Sequence, residues 1–112
     1  MIVGSAFVET DVDGLIAALR DENPKVRQNA AATLGEVADE RAIAPLARAL
    51  TDSNADVRLN AALSIGMIGD LSGTAPLTFA LKDERDDMVR GGLETALDMI
   101  KKNVMSKKMR VF

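Results

Sequence analysis

The stretch NPKVRQNAAATLG, from Asn23 to Gly35, returns 31 residues later as NADVRLNAALSIG, from Asn54 to Gly66. A chain that repeats a unit of this length is building an array whose units bury surface on one another, because one unit alone cannot hide its apolar face. Laying Val12 to Ala42 over Ile43 to Gly73 without a gap pairs Leu15 with Leu46, Leu19 with Leu50, Asp21 with Asp52 and Asn23 with Asn54. The pairing continues through Val26 and Val57, Arg27 and Arg58, Ala30 and Ala61, Ala31 and Ala62, Gly35 and Gly66, and Asp39 and Asp70. A third copy follows more loosely: APLARALTD (Ala44 to Asp52) recurs as APLTFALKD (Ala75 to Asp83). One extra residue in DERDDMVR then shifts the frame, so that Val89 and Arg90 answer Val57 and Arg58.

Within a copy the apolar spacing is helical twice over. Val12, Leu15, Ile16 and Leu19 share one face, and Val26, Ala30, Leu34 and Val37 share another, which predicts a helix pair with both sets in the core. The turns between them, DENP and DSNA, are rich in residues that bend the chain and cap the next helix. Pro24 suits the first helical turn, where no N–H is needed. Thr10 and Asp13 have the spacing of a capping box at the start of the array. Ala30, Ala31, Ala61 and Ala62 allow helices to approach closely, and Gly35 and Gly66 mark close packing or loosened helix ends. Alternation of period two is absent, so no strand is expected.

These features predict an all-α fold, a superhelix of about three helical hairpins forming a single domain over residues 1–112. The repeats span approximately 12–42, 43–73 and 74–102, with an apolar N-terminal cap over 1–10 and a basic segment over 101–112. The chain has neither Cys nor His, which removes the commonest nucleophile–base pairs and transition-metal ligands. No catalytic residue, metal site or cofactor is expected. The acidic cluster Asp83, Glu84, Asp86 and Asp87 has no recognised cation-loop spacing and reads as a solvated turn. From Met1 to Ile100 there are nine Lys/Arg against seventeen Asp/Glu, a balance of −8, whereas the last twelve residues carry five basic groups and no acidic one. An acidic body makes nucleic acid an unlikely partner, since phosphate binding draws on Lys and Arg. No apolar run is long enough to span a membrane, and there is no basic leader, so a cytoplasmic protein is expected.

The pattern PL..AL.D....VR..AA..LG, present here as APLARALTDSNADVRLNAALSIG, resembles the HEAT repeat, specifically the short HEAT-like repeats also found in phycobilisome (PBS) bilin lyases. The resemblance covers about residues 10–102. It implies that the turn Asp and the Arg after Val form an inter-repeat ladder, a role falling on Asp21, Arg27, Asp52, Arg58, Asp83 and Arg90. It also implies a non-enzymatic protein-binding scaffold, of unidentified partner, that binds through the surface lined by the second helices. In the third repeat Gly91 and Gly92 stand near the Asn-Ala positions and Asp98 replaces the Gly, which leaves the regularity of that helix open.

The outward positions on that surface are Gln28, Ala32 and Glu36 in the first repeat, Asp56, Leu59, Leu63 and Met67 in the second, and Thr95 and Met99 in the third. Lys25 in the first repeat and Met88 and Gly91 in the third are outward positions of the same surface. The stripe Leu59, Leu63, Met67 is either core of a middle helix or an apolar groove awaiting a partner helix or a second copy. At the C-terminus, Met105, Met109 and Phe112 fall on one helical face among Lys101, Lys102, Lys107, Lys108 and Arg110, which suits a capping helix, a disordered tail or a docking element. With open ends and an apolar stripe to cover, a homodimer is expected. The competing readings are a bilin-lyase-like handler of tetrapyrroles and a nucleic-acid-binding HEAT-like protein akin to certain DNA glycosylases. The first calls for cationic and aromatic contacts and the second for a basic concave face, and the second-helix surface is neither.

Overall fold

The acid-x-Asn spacing in the turns starts each second helix by the same device. In the computed structural model, which describes residues 11–109, Asp21 Oδ1 accepts from the Asn23 N–H at 2.9 Å, and Asn23 Oδ1 in turn accepts from the Lys25 N–H at 2.9 Å. Asp52 and Asn54 do the same one repeat later, and Glu84 and Asp86 do it again in the third. Each cascade satisfies donors that a helix start leaves open. The helices so framed are α1 (Val12–Ala18), α2 (Pro24–Val37), α3 (Ile43–Ala49), α4 (Ala55–Ile68), α5 (Thr74–Asp83) and α6 (Asp87–Met109). They form an all-α superhelix of three hairpins, with no strand among the described residues.

The second helices of the first two repeats are each closed by a left-handed residue, Ala38 (φ 57°) after α2 and Gly69 (φ 74°) after α4. Asp39 and Asp70 then cap short 3-10 turns, Glu40–Ala42 and Leu71–Gly73, that lead into α3 and α5. At the head of the array the cap is Asp11, whose Oδ1 accepts from the Gly14 N–H at 2.8 Å. The expected partner of Asp13, Thr10, lies outside the described residues, as does the proposed cap over 1–10.

Each first helix packs on its own second helix, while α4 lies between α2 and α6. The result is a slab of 48 × 45 × 19 Å, two helices thick. Leu34, Leu46, Ile65, Leu77 and Leu93 are fully buried between the layers, with Val57 and Val89 beside them. Val26, expected in the core with its counterparts, is instead 37% exposed. Val57 and Val89 each have a preceding hairpin on their flank, and among the described residues Val26 has none.

The third repeat departs from expectation in its length. Its second helix is unbroken through Asp98 and runs 23 residues to Met109, so the basic segment is helical over its described part. Asp98 is exposed, because among the described residues no further helix packs there and nothing requires a glycine. Asn103 ties this extension down by donating from Nδ2 to the Gly69 carbonyl at 3.0 Å, and Val104 packs against the core.

Candidate interaction surface

The second helices lie side by side because glycine meets a small residue at each seam. A Cβ added to Gly35 would lie 2.8 Å from the Ser64 Cα, and one added to Gly66 would lie 2.7 Å from the Ala96 Cα. Ser64 is buried and donates its hydroxyl to the Ala31 carbonyl at 2.6 Å, so the polar atom at the first seam is satisfied within it. Sequence reasoning missed Ser64; the signal was a small polar residue within the apolar run of α4, two residues before Gly66.

Charged ties reinforce the seams at the helix starts. Arg27 forks onto Asp52, with Nε to Oδ2 at 2.8 Å and Nη2 to Oδ1 at 3.0 Å, while Nη1 donates to the Asp21 carbonyl at 2.8 Å. Arg58 repeats the arrangement one hairpin on, but its acid is Glu84: Nε to Oε1 is 2.9 Å and Nη2 to Oε2 is 3.1 Å. The assignment of Asp83 to the ladder is therefore corrected. The extra residue of the third repeat is taken up in α5, which is 10 residues long where α3 is 7. Asp83 thus ends a helix in solvent, and Glu84 falls on the ladder position. Reading the offset of 32 backwards from Val89 through Asp86 to Glu84 would have found it. The Asp21 carboxylate takes no arginine among the described residues and caps its turn instead. Arg90 donates to the Leu81 and Glu84 carbonyls, and no carboxylate of the described residues pairs with it.

Half of the acidic cluster serves this scaffolding. Glu84 serves the ladder, Asp86 caps α6 through the Met88 and Val89 N–H groups, and no group of acidic residues among those described is arranged to hold a metal. Burial works against ionisation of Glu84, but hydrogen bonds from the Arg58 guanidinium and the Asp86 N–H outweigh it and hold the carboxyl below its ordinary value. The same bond raises Arg58, so both partners favour the charged pair. Asp70 is also held low, by the Ser72 backbone N–H first and more weakly by Lys107.

On the face of α2, α4 and α6 away from the first helices, the expected residues divide into two kinds. Leu59 and Leu63 are half-buried. They lean over Gly92 of α6, where an added Cβ would strike the Leu59 side chain and approach Leu63 Cδ2 at 3.9 Å. The Gly92 that looked irregular is the recess that receives them, so these two leucines belong to the seam as well as to the surface. Gln28, Ala32 and Met99 are likewise half-buried, while Glu36, Asp56 and Thr95 are exposed. Met67, 48% exposed, and Met88, 72% exposed, stand out as apolar side chains in solvent. The surface is a shallow platform with a leucine floor, thioethers at two points and an acidic rim.

Beyond the platform, Met105 and Met109 are exposed on the extension of α6; their expected companion Phe112 lies outside the described residues. No helix among the described residues is long and apolar enough to cross a membrane.

A family model for HEAT repeats matches residues 12–98. Among solved structures, human deoxyhypusine hydroxylase in complex with glycerol is similar, with a TM-score of 0.77 and 30% identity over 85% of this chain and 33% of that one. The chain thus spans a third of that neighbour. Comparison with curated proteins finds no match.

Proposed function

The chain belongs to the HEAT-repeat family, and from that premise we propose that it is a non-enzymatic protein-binding module whose partner docks on the platform of α2, α4 and α6. The observation that carries this reading is the pair Met67 and Met88, exposed side chains on a face otherwise closed by Leu59 and Leu63. Flexible thioethers adapt to an apolar partner surface, and the surrounding Glu36, Asp56 and Thr95 supply a polar rim of the kind found around protein contacts. The platform is held by glycine seams and two forked Arg–carboxylate pairs, so it reaches a partner without first being ordered. A protein bearing an apolar patch ringed by basic groups fits it. A cytoplasmic location is part of the same proposal.

The test is affinity capture with the wild-type chain and two variants, Met67→Glu with Met88→Glu on the platform and Phe79→Glu on the opposite layer. A protein captured by the wild type and the Phe79 variant but lost with the platform variant supports the reading; equal capture by all three refutes it. The chain contains neither Trp nor Tyr, so strong absorbance near or beyond the aromatic band of the purified protein would instead reveal a bound pigment.

A further inference from the structure

One face of α6 has no neighbour among the described residues. In steps of three or four along the helix stand Asp87, Gly91, Glu94, Asp98, Lys102, Met105 and Met109, and every one is exposed. On α4 the positions equivalent to Gly91, Glu94 and Asp98 are Leu59, Ala62 and Gly66, which lie at or beside the seam with α6. The seam face has therefore been rewritten in polar residues, as suits a repeat face that meets water rather than another hairpin. The polarity is not mixed, however. Its first half is acidic, with Asp87, Glu94 and Asp98, and its second half carries Lys102 beside Met105 and Met109, with Lys101 and Lys108 along its edge.

We propose that this face pairs with the same face of a second copy, the two α6 helices antiparallel across a two-fold axis near Asp98. A further hairpin stacked in the parallel sense of the internal seams, with the same charge pattern, would set acid on acid and base on base. The antiparallel arrangement sets each half on its complement, and two-fold symmetry makes every such contact twice. Lys102 of one copy lies across from Glu94 of the other, and Lys108 approaches Asp87. Met105 falls over Gly91, where an added Cβ would meet nothing within 4 Å, so a long side chain enters the space a bare helix leaves. Asp98 approaches its own copy, but each Asp98 carries Lys102 of its own helix at 3.0 Å, which neutralises the pair at the axis. That exposed intrahelical contact is weak and leaves both groups available. Antiparallel helices also place opposite dipole ends together.

The interface is small. A helix of 23 residues is about 35 Å long and about 10 Å across, so the face offers a few hundred Å² per copy and belongs to the class that dissociates on dilution. Pairing here leaves Met67 and the α2–α4 part of the platform open, so it is independent of the partner proposed above.

Sedimentation equilibrium from micromolar to millimolar concentration tests the proposal with two charge-reversed variants. Glu94→Lys with Asp98→Lys makes most of the face basic, and Lys101→Glu with Lys102→Glu makes most of it acidic; all four residues are exposed, and circular dichroism checks that both variants keep the wild-type helicity. The wild-type chain is expected to dimerise, less so at high salt. Each variant alone is expected to remain monomeric where the wild type is paired, and an equimolar mixture of the two to recover a one-to-one dimer. The same segregation of charge suits the dipole of an isolated helix, which is why reversal and mixing decide the matter. A wild-type chain that stays monomeric throughout, a dimer that neither reversal disturbs, or variants that fail to pair when mixed would overturn the proposal.

Discussion

Replacing Gly66 by Ala asks whether the second helices really touch along a glycine seam. The added methyl would sit 2.7 Å from the Ala96 Cα and 2.9 Å from its Cβ, where ordinary contact begins at 3.4 Å. The nearest obstacle is backbone, so it cannot turn aside as a side chain would; α6 has to retreat from α4 by about 0.7 Å, the gap between 2.7 and 3.4 Å. Overpacking of this kind costs about 1 to 3 kcal/mol. Against it stands the helix preference of Ala over Gly, about 1 kcal/mol. Gly91→Ala isolates that second effect, because Gly91 is also interior to a helix and its new Cβ meets nothing within 4 Å. The difference between the two variants is then the steric cost alone, about 1 to 3 kcal/mol, or a gap in Tm of roughly 4 to 12 °C for a chain of this size. Thermal unfolding followed by far-ultraviolet circular dichroism at low concentration measures it. Gly91→Ala should raise Tm, and Gly66→Ala should fall clearly below it. Equal rises in both would refute the close approach of α4 and α6.

Leu46 is fully buried, and Leu46→Ala should lower the urea-unfolding stability by about 2 to 5 kcal/mol. Ala38 holds a left-handed conformation that Gly69 holds one repeat later, so Ala38→Gly should stabilise by up to about 1 kcal/mol in the same assay. Glu84→Gln breaks the forked pair with Arg58 and should cost about 1 to 3 kcal/mol at neutral pH. The folded state holds the Glu84 carboxyl below its ordinary value, so the unfolded chain takes up the proton first. The stabilisation is therefore full at neutral pH and is lost as pH falls below the ordinary glutamate value through the folded one. Urea midpoints measured down that acid limb should fall more steeply for the wild type than for Glu84→Gln.

The hairpins were legible because their information is local and repeated: the apolar spacing of Val12 to Leu19 and the Asp-x-Asn turns each specify a helix or a cap without reference to distant residues. The ladder was legible between the first two repeats, where the offset is uniform, and misplaced in the third. The run DERDD supplies acid at four of five positions, so sequence alone left the added residue free to slide until α5 was seen to absorb it. Asp98 read as an interruption because the pattern expects glycine, yet the glycine is needed only where another helix packs, and none of the described helices does. Leu59 and Leu63 illustrate the reverse. Their exposure depended on whether a neighbouring helix offered a recess, and Gly92, which supplies it, lies more than 28 residues away in the chain.

Under the proposed function a partner protein meets the platform of second helices rather than the layer of first helices. Site-specific photo-cross-linking tests it most directly, with the same photoreactive side chain placed in turn at Met67 and at Phe79, exposed residues of opposite layers. The account predicts a discrete protein adduct from position 67 and none from position 79. An adduct from position 79 alone, or the same adduct from both, would contradict it.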